Sequence, residues 1–144
     1  MFRKKEYVFF AVYDGTSLTG ILAQWDLGAF LFVEHLAIRK ELRGKGLGTA
    51  MLEQYLQNNK HKKKIILEVE ATQSKRAEKV IRFYEKKRFK LNSFDYLQPS
   101  YGPGKKAVSL HLMSYPRSLS RRVFTNVRSI IHTRVYGLKQ ALLQ

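Results

Sequence analysis

Two apolar runs open the chain, Tyr7 to Tyr13 and Leu18 to Trp25, and Asp14-Gly15-Thr16-Ser17 between them has the composition of a hairpin turn. A second turn at Asp26-Leu27-Gly28 leads into Phe30 to Ile38, so three consecutive antiparallel strands are expected. Past a Gly-rich stretch the period changes. Leu47, Met51, Leu52, Tyr55 and Leu56 recur at helical spacing, which predicts a helix from about Gly46 to Gln57. A polar, basic loop from Asn58 to Lys64 gives way to a short strand rich in β-branched and apolar residues, Ile65 to Glu70.

Val80, Ile81, Phe83 and Tyr84 form the apolar side of a second helix, from roughly Ser74 to Lys87. Leu91 to Leu97 and Ala107 to Met113 alternate as strands around a Pro/Gly-rich tip, Gln98 to Gly104. Val123, Val127, Ile130, Ile131, Val135, Leu138 and Leu142 then mark an amphipathic helix over Ser118 to Leu143, with Gly137 as a candidate break. No internal repeat or Ser/Gly linker interrupts this order. The expected layout is one domain over residues 1–117 and a basic helix over 118–144, packed on that domain or on a partner subunit.

Composition narrows the chemistry. With 144 residues and 44% hydrophobic content the chain can bury a core, and with no cysteine it has no disulfide, no thiolate metal site and no cysteine acyl-enzyme. The basic cluster ahead of Tyr7 imitates a leader peptide, but the apolar run after it ends in a turn after seven residues, so a strand is the better reading. No apolar run approaches the length of a membrane span, about 18 residues, and a cytoplasmic location is expected. The net charge is +16, and from Tyr96 to Gln144 there are eight Lys/Arg and no acid. Such a surface suits nucleic acid, anionic lipid or plain solvation alike. His35, His61, His111 and His132 show no metal-ligand spacing, so no metal is expected. His35 follows Glu34, and strand alternation directs the two side chains to opposite faces.

Arg43-Gly44-Lys45-Gly46-Leu47-Gly48 sits between a strand and the first turn of a helix. There the unpaired amides and the positive end of the helix dipole suit an anion. Glycines let phosphate oxygens approach, and Arg43 and Lys45 add charge. The alternative, a Gly-rich turn with solvated cations, does not account for three glycines at alternate positions, which weaken a helix start. The spacing of a P-loop is absent. A dinucleotide fingerprint fails as well, because Thr49 and Met51 stand where its last glycine would fall.

Leu36-Ala-Ile-Arg-Lys-Glu-Leu-Arg43-Gly-Lys-Gly46-Leu-Gly48 resembles the coenzyme-A motif of the GNAT superfamily of N-acetyltransferases, Arg/Gln-x-x-Gly-x-Gly/Ala after a central strand. Ile65-Ile-Leu-Glu-Val-Glu70 and Phe83-Tyr84-Glu-Lys-Lys-Arg-Phe89 are similar to that family's next strand and following helix, in the same order, and the resemblance spans about Val8 to Tyr115. It implies an α/β (α+β) fold: a mixed, mostly antiparallel central sheet flanked by helices, here with an extra C-terminal amphipathic helix. It also implies acetyl transfer from acetyl-CoA to a primary amine of a small molecule or peptide. Leu36, Ala37, Ile38, Arg43, Gly44, Lys45, Gly46, Leu47, Gly48 and Thr49 would hold the coenzyme, with no metal. Lys40 departs from the usual Pro, Arg88 from the usual Gly, and Ala77 from a frequent Asn. The chain starts at what resembles the family's second strand. The basic C-terminal helix or a second subunit, as in a homodimer, is expected to cover the side of the first strand and two helices.

Acyl transfer from a thioester to an amine needs a base for the amine and an acid for the thiolate. The resemblance places Glu34 as the base, with Glu68 and Glu70 as alternates on the next strand, and Tyr84 as the acid. The bland readings are a Glu34 paired with one of many cations and a Tyr84 that is only a packed aromatic. Gln98 and Tyr101 on the Pro/Gly-rich tip are further donors for an acceptor site, or parts of a stiff hairpin end. Two rival functions are an inactive GNAT-like module that binds nucleic acid, and a C-terminal helix lying on anionic membrane through Arg121, Arg122 and Arg128.

Overall fold

The computed structural model describes residues 6–59, 62–71, 73–98 and 108–137. It divides into two compact units, the first over residues 3–64 and the second from Ile65 onward. In the first, β1 (Tyr7–Asp14), β2 (Ser17–Asp26) and β3 (Phe30–Ile38) form an antiparallel meander. Asp14 pairs with Ser17 across the first turn and Gly20 with Ile38 across the second hairpin. Helix α1 (Leu47–Gln57) buries Met51 and Leu52. Gly20 makes that packing possible, because a Cβ there would lie 2.6 Å from the Ala37 carbonyl oxygen and 2.8 Å from Met51 Sδ. The far end of α1 is tied to β2 where the Tyr55 hydroxyl donates to Gln24 Oε1 at 2.5 Å, and Lys63 pairs with Asp26 at 2.8 Å. A cavity of about 590 Å³ opens on this side, lined by Phe10, Val12, Leu22, Leu47 and Met51 among others.

In the second unit β6 (Val108–Tyr115) runs antiparallel to both β4 (Lys64–Glu70) and β5 (Lys90–Gln98), so β6 is central and Leu112 and Met113 are fully buried. The register slips between Asn92 and Tyr96. Asn92 is buried yet satisfied: its amide donates to the Leu112 carbonyl and Ser114 Oγ, and its oxygen accepts from Leu119 N at 2.8 Å. Helix α2 (Lys75–Glu85) is capped by Ser74 and α3 (Arg121–Ile130) by Ser120. Phe124, Val127, Ile131 and Val135 form the buried stripe of the last helix, with Phe124 stacked on Phe94 at 5.0 Å.

Strand pairing inside each unit is antiparallel and helices follow the strands in the expected order, so the chain has the mixed α/β (α+β) fold anticipated from its pattern. Two details differ. The last helix starts at Arg121 because Ser120 turns its hydroxyl onto Val123 N as a cap. Before Gly137, the last described residue, whose φ of −59° is helical, it widens into a π-helix over Ile131–Tyr136. The Pro/Gly-rich tip beyond Gln98, with Tyr101, and the positions Leu138 and Leu142 lie outside the described residues.

Candidate functional site

The turn after β3 begins with a 3-10 segment, Lys40–Leu42, and Arg43 Nε donates back to the Ile38 carbonyl at 3.1 Å. Gly44 and Gly46 then take φ of +82° and +79°, the left-handed region that L side chains avoid. Nothing lies within 4 Å of the positions their Cβ atoms would occupy, so these glycines face open space and not a packing constraint. Gly46 is also the N-cap of α1 and has no side chain to offer it. The other two helices are closed by serine hydroxyls, Ser74 on Ala77 N at 3.0 Å and Ser120 on Val123 N at 3.2 Å. In α1 the first intrahelical bond runs from Ala50 N to the Gly46 carbonyl at 3.1 Å, and no acid stands in the first turn. The amides of Leu47, Gly48 and Thr49 precede that bond, and with Arg43 and Lys45 exposed beside them the residues present fit a diphosphate.

Leu36, Ala37 and Ile38 form the end of β3 that leads into the turn, paired with Leu22, Ile21 and Gly20. Two residues earlier the strand is irregular. Ala23 pairs with His35 but Gln24 with Val33, which leaves Glu34 as the extra residue of a β-bulge. Trp25 Nε1 donates to Glu34 Oε2 at 2.5 Å, and His35 Nε2 lies 3.5 Å from Glu34 Oε1. The expectation that His35 and Glu34 diverge is therefore corrected: alternation holds only along a regular strand, and the bulge lets the two side chains meet. The Glu34 side chain is 12% exposed and that of His35 59%, so a sheltered carboxylate has a solvent-facing imidazole at its rim.

The second unit holds the remaining candidates. Tyr84, on α2, packs edge-on against Phe83 at 5.0 Å and Phe89 at 5.4 Å, and burial pushes its phenol up to about 12. Behind it the helix ends as the family's glycine would end it, with Arg88 at φ +74° and Phe89 N bonded to the Tyr84 carbonyl at 3.2 Å. Ala77 is buried at the start of α2, where its amide meets Ser74. Glu70 is exposed and pairs with Arg76 at 2.6 Å. Glu68 is held differently: Tyr96 donates to one carboxylate oxygen, Tyr136 to the other at 2.6 Å, and Gln98 Nε2 donates to the Tyr136 hydroxyl at 2.7 Å. The sequence reading missed Trp25, Tyr96 and Tyr136. Tyr96 and Gln98 share a strand face by alternation and were the one available signal; Tyr136 needed the π-turn, which has no sequence mark. Among the described residues no group of His, Cys, Asp and Glu is arranged to hold a metal ion, and no helix is long and apolar enough to cross a membrane.

Residues 4–91 match the family model of the acetyltransferase (GNAT) domain. A proposed GNAT-family acetyltransferase of Bacteroides thetaiotaomicron superposes with a TM-score of 0.85 at 31% identity, covering 94% of this chain and 76% of that one. The ribosomal-protein-S18-alanine N-acetyltransferase of Escherichia coli gives 0.62 at 17% identity over 82% and 74% of the two chains. A Bacillus subtilis acetyltransferase in complex with CoA gives 0.58 at 13% identity over 77% of each. No protein of curated function matches the chain in sequence. The chain belongs to the GNAT family, and is by class an acyl-CoA-dependent N-acetyltransferase.

Proposed function

We propose that this protein transfers the acetyl group of acetyl-CoA directly to a primary amine. The observation that carries the reading is the uncapped start of α1 behind a turn whose two glycines face open space, flanked by Arg43 and Lys45. The amides of Leu47, Gly48 and Thr49 bind the pyrophosphate, Gly44 and Gly46 let it come close, and the Leu36 to Ile38 stretch of β3 lies along the rest of the coenzyme. Glu34 is the base. Its carboxylate takes one proton from the acceptor ammonium to leave the amine that attacks, and the Trp25 indole keeps the carboxylate oriented. As the amine nitrogen bonds to the thioester carbon and the carbon–sulfur bond breaks, the Tyr84 phenol gives its proton to the departing thiolate, and the nitrogen sheds its second proton to solvent, from which the phenolate is reprotonated. A phenol held un-ionised up to about 12 has that proton to give at neutral pH.

A thermal-shift and turnover comparison of three proteins tests this. Acetyl-CoA should raise the melting temperature of the wild type, and of Tyr84→Phe equally, but hardly that of Gly46→Ala, whose new Cβ stands where the phosphate must approach. Tyr84→Phe should lose about 10²–10⁴-fold in kcat. A wild type indifferent to acetyl-CoA would sink the coenzyme site, and undiminished turnover in Tyr84→Phe would sink the acid.

A further inference from the structure

We propose that His35 carries the proton of each turnover from Glu34 to solvent, which readies the base for the next acceptor. This rests on the reading of Glu34 as the base and adds the step that must follow it. Once Glu34 has taken a proton from the acceptor ammonium it is a carboxylic acid, and it cannot act again until that proton leaves. Its side chain is 12% exposed and lies against the buried indole of Trp25, whereas the His35 side chain is 59% exposed. The imidazole thus stands between a sheltered carboxyl and water.

The two carboxylate oxygens meet different chemistry. Oε2 accepts from Trp25 Nε1, while Oε1 lies 3.5 Å from His35 Nε2. An indole N–H donates and has no lone pair, so Trp25 orients the group and takes nothing from it. A neutral imidazole with its hydrogen on Nδ1 presents a lone pair at Nε2. The proton passes from Oε1 to Nε2, which restores the carboxylate and leaves an imidazolium, and the imidazolium gives up a proton to water or buffer at its exposed edge. The bulge makes this encounter possible. Ala23 pairs with His35 and Gln24 with Val33, so Glu34 is the inserted residue. In a regular strand the two side chains would point to opposite faces, and the bulge re-aims one of them. A separation of 3.5 Å exceeds a hydrogen bond, and a small rotation of the exposed ring closes it, as such contacts tighten when a site fills. As a rim ion pair alone the contact would contribute little to stability.

The test is amine-dependent release of CoA thiol from acetyl-CoA, in dilute buffer, by the wild type, His35→Ala, Glu34→Gln and the double variant. The probes are n-butylamine, 1,4-diaminobutane, lysine amide and trialanine. With the best of these, His35→Ala should lose about tenfold to a hundredfold in kcat and keep both KM values within about twofold. Added imidazole, after subtraction of the rate without enzyme, should restore at least about half of the wild-type kcat along a saturating curve, because a small base then carries the proton. Glu34→Gln should lose about 10²–10⁴-fold, and His35→Ala on top of it should cost nothing more, since a relay then has no proton to carry. Undiminished kcat in His35→Ala, a loss that imidazole does not relieve, equal stimulation of the wild type by imidazole, or multiplied losses in the double variant would each overturn the relay. If His35→Ala does not fold, His35→Asn decides by the same rescue. No amine-dependent release by the wild type, or full turnover in Glu34→Gln, would overturn the underlying reading and the relay with it; a crippled Glu34→Gln beside an unaltered His35→Ala overturns the relay alone.

Discussion

Arg88 shows how a single residue can depart from a family pattern and leave the geometry intact. Its φ of +74° is the left-handed conformation that closes α2, and the closing bond from Phe89 N to the Tyr84 carbonyl forms all the same. An L side chain there costs about 1 kcal/mol more than glycine. Phe89 secures the turn from the other side: it is 1% exposed and packs against the rings of Tyr84, edge-on, and Tyr115, which pins the chain just past the strained residue. Arg88→Gly should therefore stabilise the protein by about 1 kcal/mol, seen as a higher urea midpoint at constant slope. A lower midpoint would mean that the arginine side chain contributes more than its backbone costs. Glu34 is the converse case, a residue where the family pattern was readable and the local geometry was not. Its position two residues before Leu36 comes from the motif, but its burial under Trp25 and its meeting with His35 come from a bulge. A bulge is a relation between two strands, and nothing within Phe30 to Ile38 records it.

Among the elements, the last helix carries the clearest pH signature. His132 lies in its π-segment with Nε2 buried and unpartnered, and burial, followed by Arg128, holds the imidazole below its ordinary value. The folded state thus binds fewer protons than the unfolded chain near and below the usual histidine range. The stability this neutral imidazole allows is complete above about pH 6.5 and is lost as the pH falls towards the folded value. The melting temperature should drop between about pH 7 and about pH 5.5, and His132→Gln should flatten that slope relative to the wild type, because a glutamine has no proton to gain. Parallel slopes in the two proteins would assign the loss to other groups. The same helix marks the boundary of what its sequence disclosed. Val123, Val127, Ile131 and Val135 announced a helix through their spacing, as Asp14-Gly15 announced a turn, because each of these signals is local. The widening to a π-turn, the choice of Tyr136 to meet Glu68, and the pairing of Glu68 with Tyr96 depend on side chains far apart in sequence.

At the scale of the whole chain the dominant fact is charge. Part of the basic C-terminal third serves packing as well: Arg121 lies 4.9 Å above the Phe94 ring and Arg128 5.7 Å from that of Phe124, so their stems cover apolar surface while the charge persists. No ion pair with an acid is formed by Arg43 or Lys45 among the described residues. Against a coenzyme that is itself a polyanion, a net charge of +16 acts mainly on encounter, because long-range attraction raises the rate of arrival and has little part in the contacts that retain the ligand. Salt should separate the two. Raising ionic strength from about 0.01 M to about 0.15 M shortens the screening length from roughly 30 Å to roughly 8 Å, below the dimensions of the protein. The association rate of acetyl-CoA, followed by stopped flow, should fall about tenfold over that range while the dissociation rate changes by less than about threefold. If dissociation instead accelerated as strongly as association slowed, the charges that matter would be the few in contact with the phosphates, and Lys45→Ala alone should then reproduce the effect of salt.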